Sequence, residues 1–369
     1  MIENMDADGT LLRVFPKRPE KPPLVFNIYK LRMHAVSGHT GMNYDADLRN
    51  AKPPGLIQAT GTFGPWEADD PAETPVTGNY RFSDADLGVF KGISGHLSST
   101  GQFRGALAKI EVNGETDTPD FSVDIAAHPV DLKASFSATV DGENGNTLLH
   151  SVTARFGQTT VICQGSVIGH PGGDGKTVSL NAVMQNGELA DVLKLVIKSD
   201  QAPMTGIIGF RAQIQIPPGD IDIAQKLHLN GQFDLQSSKL TNPALEQKVS
   251  KLSARARGET GNNGNDATAS NMQGTFILDR GLMTLHGLSF KIPGAAVHLD
   301  GTYALLTEAM DFHGTLTMDA KLSQMTTGVK SLLLKALDPL FETRKAGAVI
   351  PFHLTGVRAH PKVGLDLRR

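Results

Sequence analysis

Three stretches of this chain alternate apolar and polar residues without a break, and each carries a glycine in the middle of its apolar set. They read Leu227-x-Leu229-x-Gly231-x-Phe233-x-Leu235, Val297-x-Leu299-x-Gly301-x-Tyr303-x-Leu305 and Met310-x-Phe312-x-Gly314-x-Leu316-x-Met318. Side chains of a β-strand point to opposite faces in turn, so a period of two predicts strands with one apolar and one wetted face. Sheets of this one-sided kind are usually antiparallel. Weaker copies centre on Gly61, Gly101, Gly114, Gly165, Gly274 and Gly356. The pairs Asp141-Gly142, Asn144-Gly145, Asn186-Gly187 and Arg280-Gly281 supply tight-turn signals between strands.

Glycine inside a strand costs stability, because it loses more backbone entropy and packs nothing. Its recurrence on the apolar side points to a sharp bend of the strand or to close approach of something to that face, and bending is the favoured reading. A glycine there also removes a side chain that would fill the centre of the face. Composition agrees with a thin sheet: 39 glycines and 6% aromatics leave little bulk for one compact core. The expected fold is mainly β, a long curled antiparallel sheet (a taco-like β-groove) with a few amphipathic helices.

Helical spacing of apolar residues occurs at Gly187 to Lys198, Asn242 to Arg257 and Met325 to Leu337. The third puts Val329, Leu332, Leu333 and Leu337 on one side, with Lys330 and Lys335 beside them. Such helices most often cover a core; a membrane-surface role is the alternative for this one. The polar run from Gly258 to Ser270 and the proline-rich run from Pro16 to Pro23 read as linkers. They suggest an N-terminal segment (1–50), a repeated-strand region with two helices (51–257) and a C-terminal β region with one helix (271–369).

Chemistry-bearing patterns fail on spacing. Gly172-Gly173-Asp174-Gly175-Lys176-Thr177 has His170 where a phosphate loop needs glycine, and an alternating strand follows where a helix should stand. His34 and His39 have no metal-ligand spacing, and Asp6-Ala7-Asp8-Gly9 lacks the downstream glutamate of a calcium loop. The pair Asp220 and Asp222 shares one face of an expected strand and is the only faint acid–base candidate. His228, His298 and His313 fall on the wetted side of the alternation. A lone Cys163 makes neither a disulfide nor a zinc cage. No catalytic group, metal or cofactor is expected. A formal charge of −3 with no basic block argues against nucleic acid as partner. No stretch approaches the roughly 20 apolar residues of a membrane-spanning helix, and Met1 to Phe15 has no apolar signal core.

The C-terminal third carries a resemblance. Its pieces are Gly274-Thr275-Phe276, Gly281-Leu282, Leu288-Ser289-Phe290-Lys291-Ile292-Pro293-Gly294-Ala295, Val297-His298-Leu299-Asp300-Gly301-Thr302-Tyr303 and Ile350-Pro351-Phe352-His353-Leu354-Thr355-Gly356, closed by His360-Pro361. Together they resemble the C-terminal region of AsmA-like bacterial envelope proteins, relatives of TamB-type proteins. Upstream, Gly61-Thr62-Phe63-Gly64-Pro65-Trp66, Gly92-Ile93-Ser94-Gly95 and Pro217-Pro218-Gly219-Asp220 look similar to the preceding stretch of a long subgroup. The resemblance implies a periplasmic β-groove, an inner-membrane anchor in a full-length form and a role in outer-membrane biogenesis through phospholipid transport.

The expectation is therefore a non-enzymatic lipid-binding sheet. A one-sided sheet must cover its apolar face, and an acyl chain can do so without any catalytic group. Phe233, Leu235, Phe290, Ile292, Leu299, Tyr303, Phe312 and Leu316 are the candidate groove residues, phospholipid acyl chains and membrane surfaces the candidate partners. A β-sandwich binding or adhesin module and a jelly-roll hydrolase are the alternatives.

Overall fold

The computed structural model describes residues 2–14, 24–37, 39–142, 144–170, 175–198, 201–202, 204–241, 271–318, 348–357 and 360–366. Their strands belong to one antiparallel sheet of 20 strands that does not close. The chain forms two compact units, Met1–Ala182 with Ile214–Ile223, and Val183–Gln213 with Ala224–Arg369.

In the first unit β1 (Ile2–Val14), β2 (Leu24–Val36), β3 (Met42–Ala51), β4 (Pro54–Phe63) and β5 (Pro75–Asp86) pair in sequence. The short β6 (Ile93–Ser94) steps out of this order onto β8 (Lys109–Val123), and β5 pairs instead with β7 (His96–Ala106). Sequential pairing resumes through β8, β9 (Val130–Val140), β10 (Thr147–Phe156) and β11 (Thr159–Gly169). Two strands, β12 (Lys176–Glu188) and β13 (Met204–Ile216), divide between the units. Turns at one end hydrogen-bond to one another: Leu107 N–H donates to Thr74 O (3.1 Å) and Gly142 N–H to Leu107 O (2.9 Å). Gly169 N–H reaches Asn146 Oδ1 at 2.8 Å, and Lys176 Nζ reaches Gly145 O.

The second unit pairs strictly in order through β14 (His228–Leu240), β15 (Met272–Asp279), β16 (Leu282–Ile292), β17 (Ala295–Ala304), β18 (Ala309–Met318), β19 (Ala348–Val357) and β20 (His360–Leu365). The Arg280-Gly281 turn joins β15 to β16 with both residues at positive φ (49° and 76°). That is the turn whose twist matches a hairpin, and it places arginine where glycine is the easier residue.

Register gathers the apolar residues on a single face. Val297 stands opposite Leu316, Leu299 opposite Gly314 and Gly301 opposite Phe312. Phe290 stands opposite Val297, and Phe276 opposite both Leu285 and Gly231. The same holds in the first unit, where Tyr80 faces Ala59 and Gly101, and Phe136 faces Gly114 and Val152.

Glycines on this face are seats for side chains from strands one or two places away. A Cβ at Gly114 would stand 2.5 Å from the Tyr80 hydroxyl and 2.9 Å from Phe136, and one at Gly78 would meet Tyr44 and Phe103. At Gly301 it would run into Phe312 and the carbonyl of Asp311, and at Gly314 into Leu299 and the carbonyl of His298. The place of the missing side chain is therefore taken, which corrects the expectation that glycine leaves the centre of the face empty. Close approach does occur, but the approaching group is the next strand.

Only Leu189–Lys194 of the expected first helix is helical (α1); Asn186-Gly187 lies inside β12 rather than in a turn. A second short helix, α2 (Ile223–Lys226), follows the loop that holds Asp220 and Asp222. Those two residues are not on a strand, so the shared strand face expected of them is not formed. The helices expected at 242–257 and 325–337, with Val329, Leu332, Leu333 and Leu337, lie outside the described residues, as do the linkers at 16–23 and 258–270.

Replacing Gly314 with valine forces its new side chain against strand β17. We expect a loss of roughly 1–3 kcal/mol in urea denaturation, while Thr315→Val on the opposite face stays within about 0.5 kcal/mol. Equal midpoints for the two variants would show that the seat is not needed.

Candidate functional site

Seven of the eight candidate groove residues have described side chains, and register places all eight on the apolar face of β14, β16, β17 and β18. Leu235 and Phe312 are buried, at 3% and 8% exposure. Phe233, Phe290, Leu299, Tyr303 and Leu316 keep part of their surface open. Phe233 and Phe276 pack with ring centroids 6.3 Å apart. The face is thus neither a dry interior nor a polar surface: Leu235 and Phe312 are buried, and other large apolar side chains stay half-open beside them.

In the first unit two tyrosines bring hydroxyls onto this face, which the alternation alone did not single out. Tyr44 O–H donates to Thr77 O at 3.2 Å, and Tyr80 Oη lies 3.0 Å from Ser99 Oγ, whose own hydroxyl donates to Glu115 O at 2.9 Å. Each half-buried hydroxyl has a partner, as partly apolar surroundings favour. Burial disfavours the phenolate, so the Tyr44 hydroxyl is pushed up to about 12, and that of Tyr80 is raised for the same reason, against the hydrogen bond it shares with Ser99, which lowers it. Cys163, on the same face between β10 and β11, has its thiol pushed up by burial.

The opposite face carries histidine–carboxylate pairs. His96 Nδ1 lies 2.8 Å from Asp120, and His228 Nδ1 2.8 Å from Asp279. Asp366 accepts from His313 Nδ1 at 3.0 Å and from His353 Nδ1 at 2.8 Å, joining β18 and β19 to the end of β20. The hydrogen bond to Asp366 raises the His313 imidazole above its ordinary range, and the bonds from His313 and His353 hold the Asp366 carboxyl low. These partners are up to 53 positions apart in sequence, so spacing along one strand could not reveal them. Among the described residues no group of three or more His, Cys, Asp or Glu side chains is arranged to hold a metal ion. A shallow depression of about 430 Å³ also lies on this polar face, where Glu115, Asp117, Lys133 and Arg155 mix both charges.

Asp220, the acid–base candidate, accepts from Lys91 Nζ at 3.0 Å and is engaged in holding two loops together. Asp222 lies on the other side of the same contact, against Gly92. Among the described residues no helix is long and apolar enough to cross a membrane.

No family model, no curated protein and no solved structure matches this chain.

Two titrations check this electrostatic picture. Following tyrosinate absorbance, the last of the ionisations should sit near 12 and vanish in Tyr44→Phe. The folded state keeps that proton longer than the unfolded chain does, so the contribution of Tyr44 to stability is constant below about 10 and falls as pH rises beyond it. By NMR, His313 should titrate above an ordinary histidine, and Asp366→Asn should lower it. The favourable pairing is complete below about 6.5 and is lost as pH rises through the raised value.

Proposed function

We propose that this chain is a non-enzymatic lipid-handling protein of the bacterial envelope, whose sheet curls so that its apolar face becomes a groove for phospholipid acyl chains. The observation that carries the reading is the face itself: strand after strand adds apolar side chains to one side of a single sheet, and several of the largest stay half-open. Large apolar surface left open on one side usually marks a binding site. An acyl chain fits a long apolar strip that offers no reactive group.

Curling is supported by two features. Neighbouring strands lean over the glycines on the apolar side, closely enough to exclude a Cβ at Gly301 and Gly314. Residues 217–223, which follow β13, also dock on the loop after β5 within the first unit. Strands β7 to β12 lie between the two in sheet order, and a flat sheet would hold them roughly 30 Å apart. The resemblance to AsmA-like proteins adds the proposed setting: the periplasm, between two membranes, with a full-length form anchored in the inner one. A single sheet favours a groove over a two-sheet sandwich, and the engagement of Asp220 by Lys91 speaks against the hydrolase.

Fluorescent-phospholipid binding measured beside a melting curve tests this reading. Phe290→Asp and Leu299→Asp place a charge on the half-open part of the face, where water can still reach it. Both should fold and bind lipid about tenfold more weakly, a loss of about 1.4 kcal/mol. Phe312→Asp, beneath a packed ring seat, should unfold. If all three unfold alike, the face is a closed core and the sandwich reading wins; if the first two fold and bind normally, the groove residues are wrongly assigned.

A further inference from the structure

One end of the first unit's apolar face is well buried. Thr118 (1%) and Phe156 (7%) both stand opposite Leu132, Phe156 also stands opposite Thr159 (0%), and Ala85 (0%) stands opposite Leu97. Against this end, at Thr118, lies the excursion 87–95, which leaves β5 and returns as β7. A Cβ at Gly95 would meet the Thr118 methyl at 3.0 Å, which places the excursion on the apolar side of the sheet. The excursion is fastened inward by the β6–β8 pairing and by Asp124 N–H donating to Gly92 O at 3.0 Å.

It is fastened outward by a segment distant in sequence. Lys91 Nζ donates to Asp220 O at 2.8 Å and to its carboxylate at 3.0 Å, across 129 positions. In return Ile223 N–H donates to Lys91 O at 2.8 Å. Gly92, buried with φ +99°, permits this contact: a Cβ there would stand 2.7 Å from Asp222 Oδ1 and 2.8 Å from Ile223 N. The ion pair itself is open to water, its side chains 56% and 78% exposed, so it holds weakly and can be released.

We propose that residues 217–223 form a clasp that holds the 87–95 excursion over one end of the apolar face, and that releasing the clasp opens this end to ligand. The proposal rests on the acyl-chain reading above, and assigns that face a gate. A cover fastened by few hydrogen bonds and one exposed ion pair belongs to the low-stability part of a fold, where lids are found.

Hydrogen exchange and lipid uptake on the full chain test the proposal together. Lys91→Glu sets a negative charge against Asp220 and Asp222. It should speed exchange of the Ile223 and Ile93 amides about fivefold while the β9 amides stay unchanged. Uptake of a self-quenching fluorescent phospholipid from phosphatidylcholine–phosphatidylglycerol vesicles should accelerate about threefold with the same final amplitude. The charge swap Lys91→Glu with Asp220→Lys should restore both rates. Unprotected Ile223 in the wild type, or exchange unmoved by Lys91→Glu, overturns the clasp. Faster exchange with unchanged uptake leaves the acyl-chain reading standing and overturns the gate alone. A wild type that takes up no lipid overturns the acyl-chain reading and the gate with it.

Discussion

Everything in this protein depends on a sheet that gathers most of its apolar bulk on one side. Hydrogen bonding along the strands satisfies the backbone without regard to side chains, so stability must come from what the apolar side touches. Contacts of large side chains with glycines one or two strands away provide part of it. Tyr80 over Gly114, Phe312 beside Gly301 and Leu299 beside Gly314 bury side chains against the sheet's own backbone rather than against a second layer. The arrangement lets a thin sheet stabilise itself strand by strand, and it leaves the strip between the rings for something else to cover. Cross-strand pairing of this kind also fixes register, because a slip by one residue would carry every ring to the wet side.

The same constraint explains why polar chemistry is segregated. Histidine–carboxylate pairs share the opposite side, where His313, His353 and Asp366 tie β18 and β19 to the end of β20. On the apolar side the hydroxyls of Tyr44 and Tyr80 have their donors and acceptors matched locally. A protein built this way can present an unreactive surface to an apolar ligand while remaining wetted outside, which is the physical content of the lipid-handling proposal.

Much of the fold was legible from period two alone. Strands β14, β17 and β18 stand where Leu227–Leu235, Val297–Leu305 and Met310–Met318 alternate. The turn at Arg280-Gly281 pairs Phe276 with Leu285, but Phe290 joins their face only through a register shift between Leu285 and Leu288, which alternation did not show. The role of the glycines was only half legible, because their partners sit on other strands and appear only once register is known. At 187–198 the apolar spacing suited a helix, yet the ladder of β12 extends through Glu188 and leaves only Leu189–Lys194 helical: long-range pairing overrode local preference. Asp220 was visible as a carboxylate, but its partner Lys91 lies beyond any sequence window. For the candidate groove residues, alternation along β14, β17 and β18 grouped those strands' members on one face; it carried no information on the bulge that brings β16 in step, or on which side chains stay half-open.

Native mass spectrometry of the chain purified under gentle conditions is the most direct test of the central claim. The account predicts adducts at phospholipid masses that survive into the gas phase and are lost when Phe290 and Leu299 are both replaced by aspartate in a variant that still folds. A wild-type protein that emerges free of lipid, and stays so after incubation with phospholipid vesicles, would contradict it.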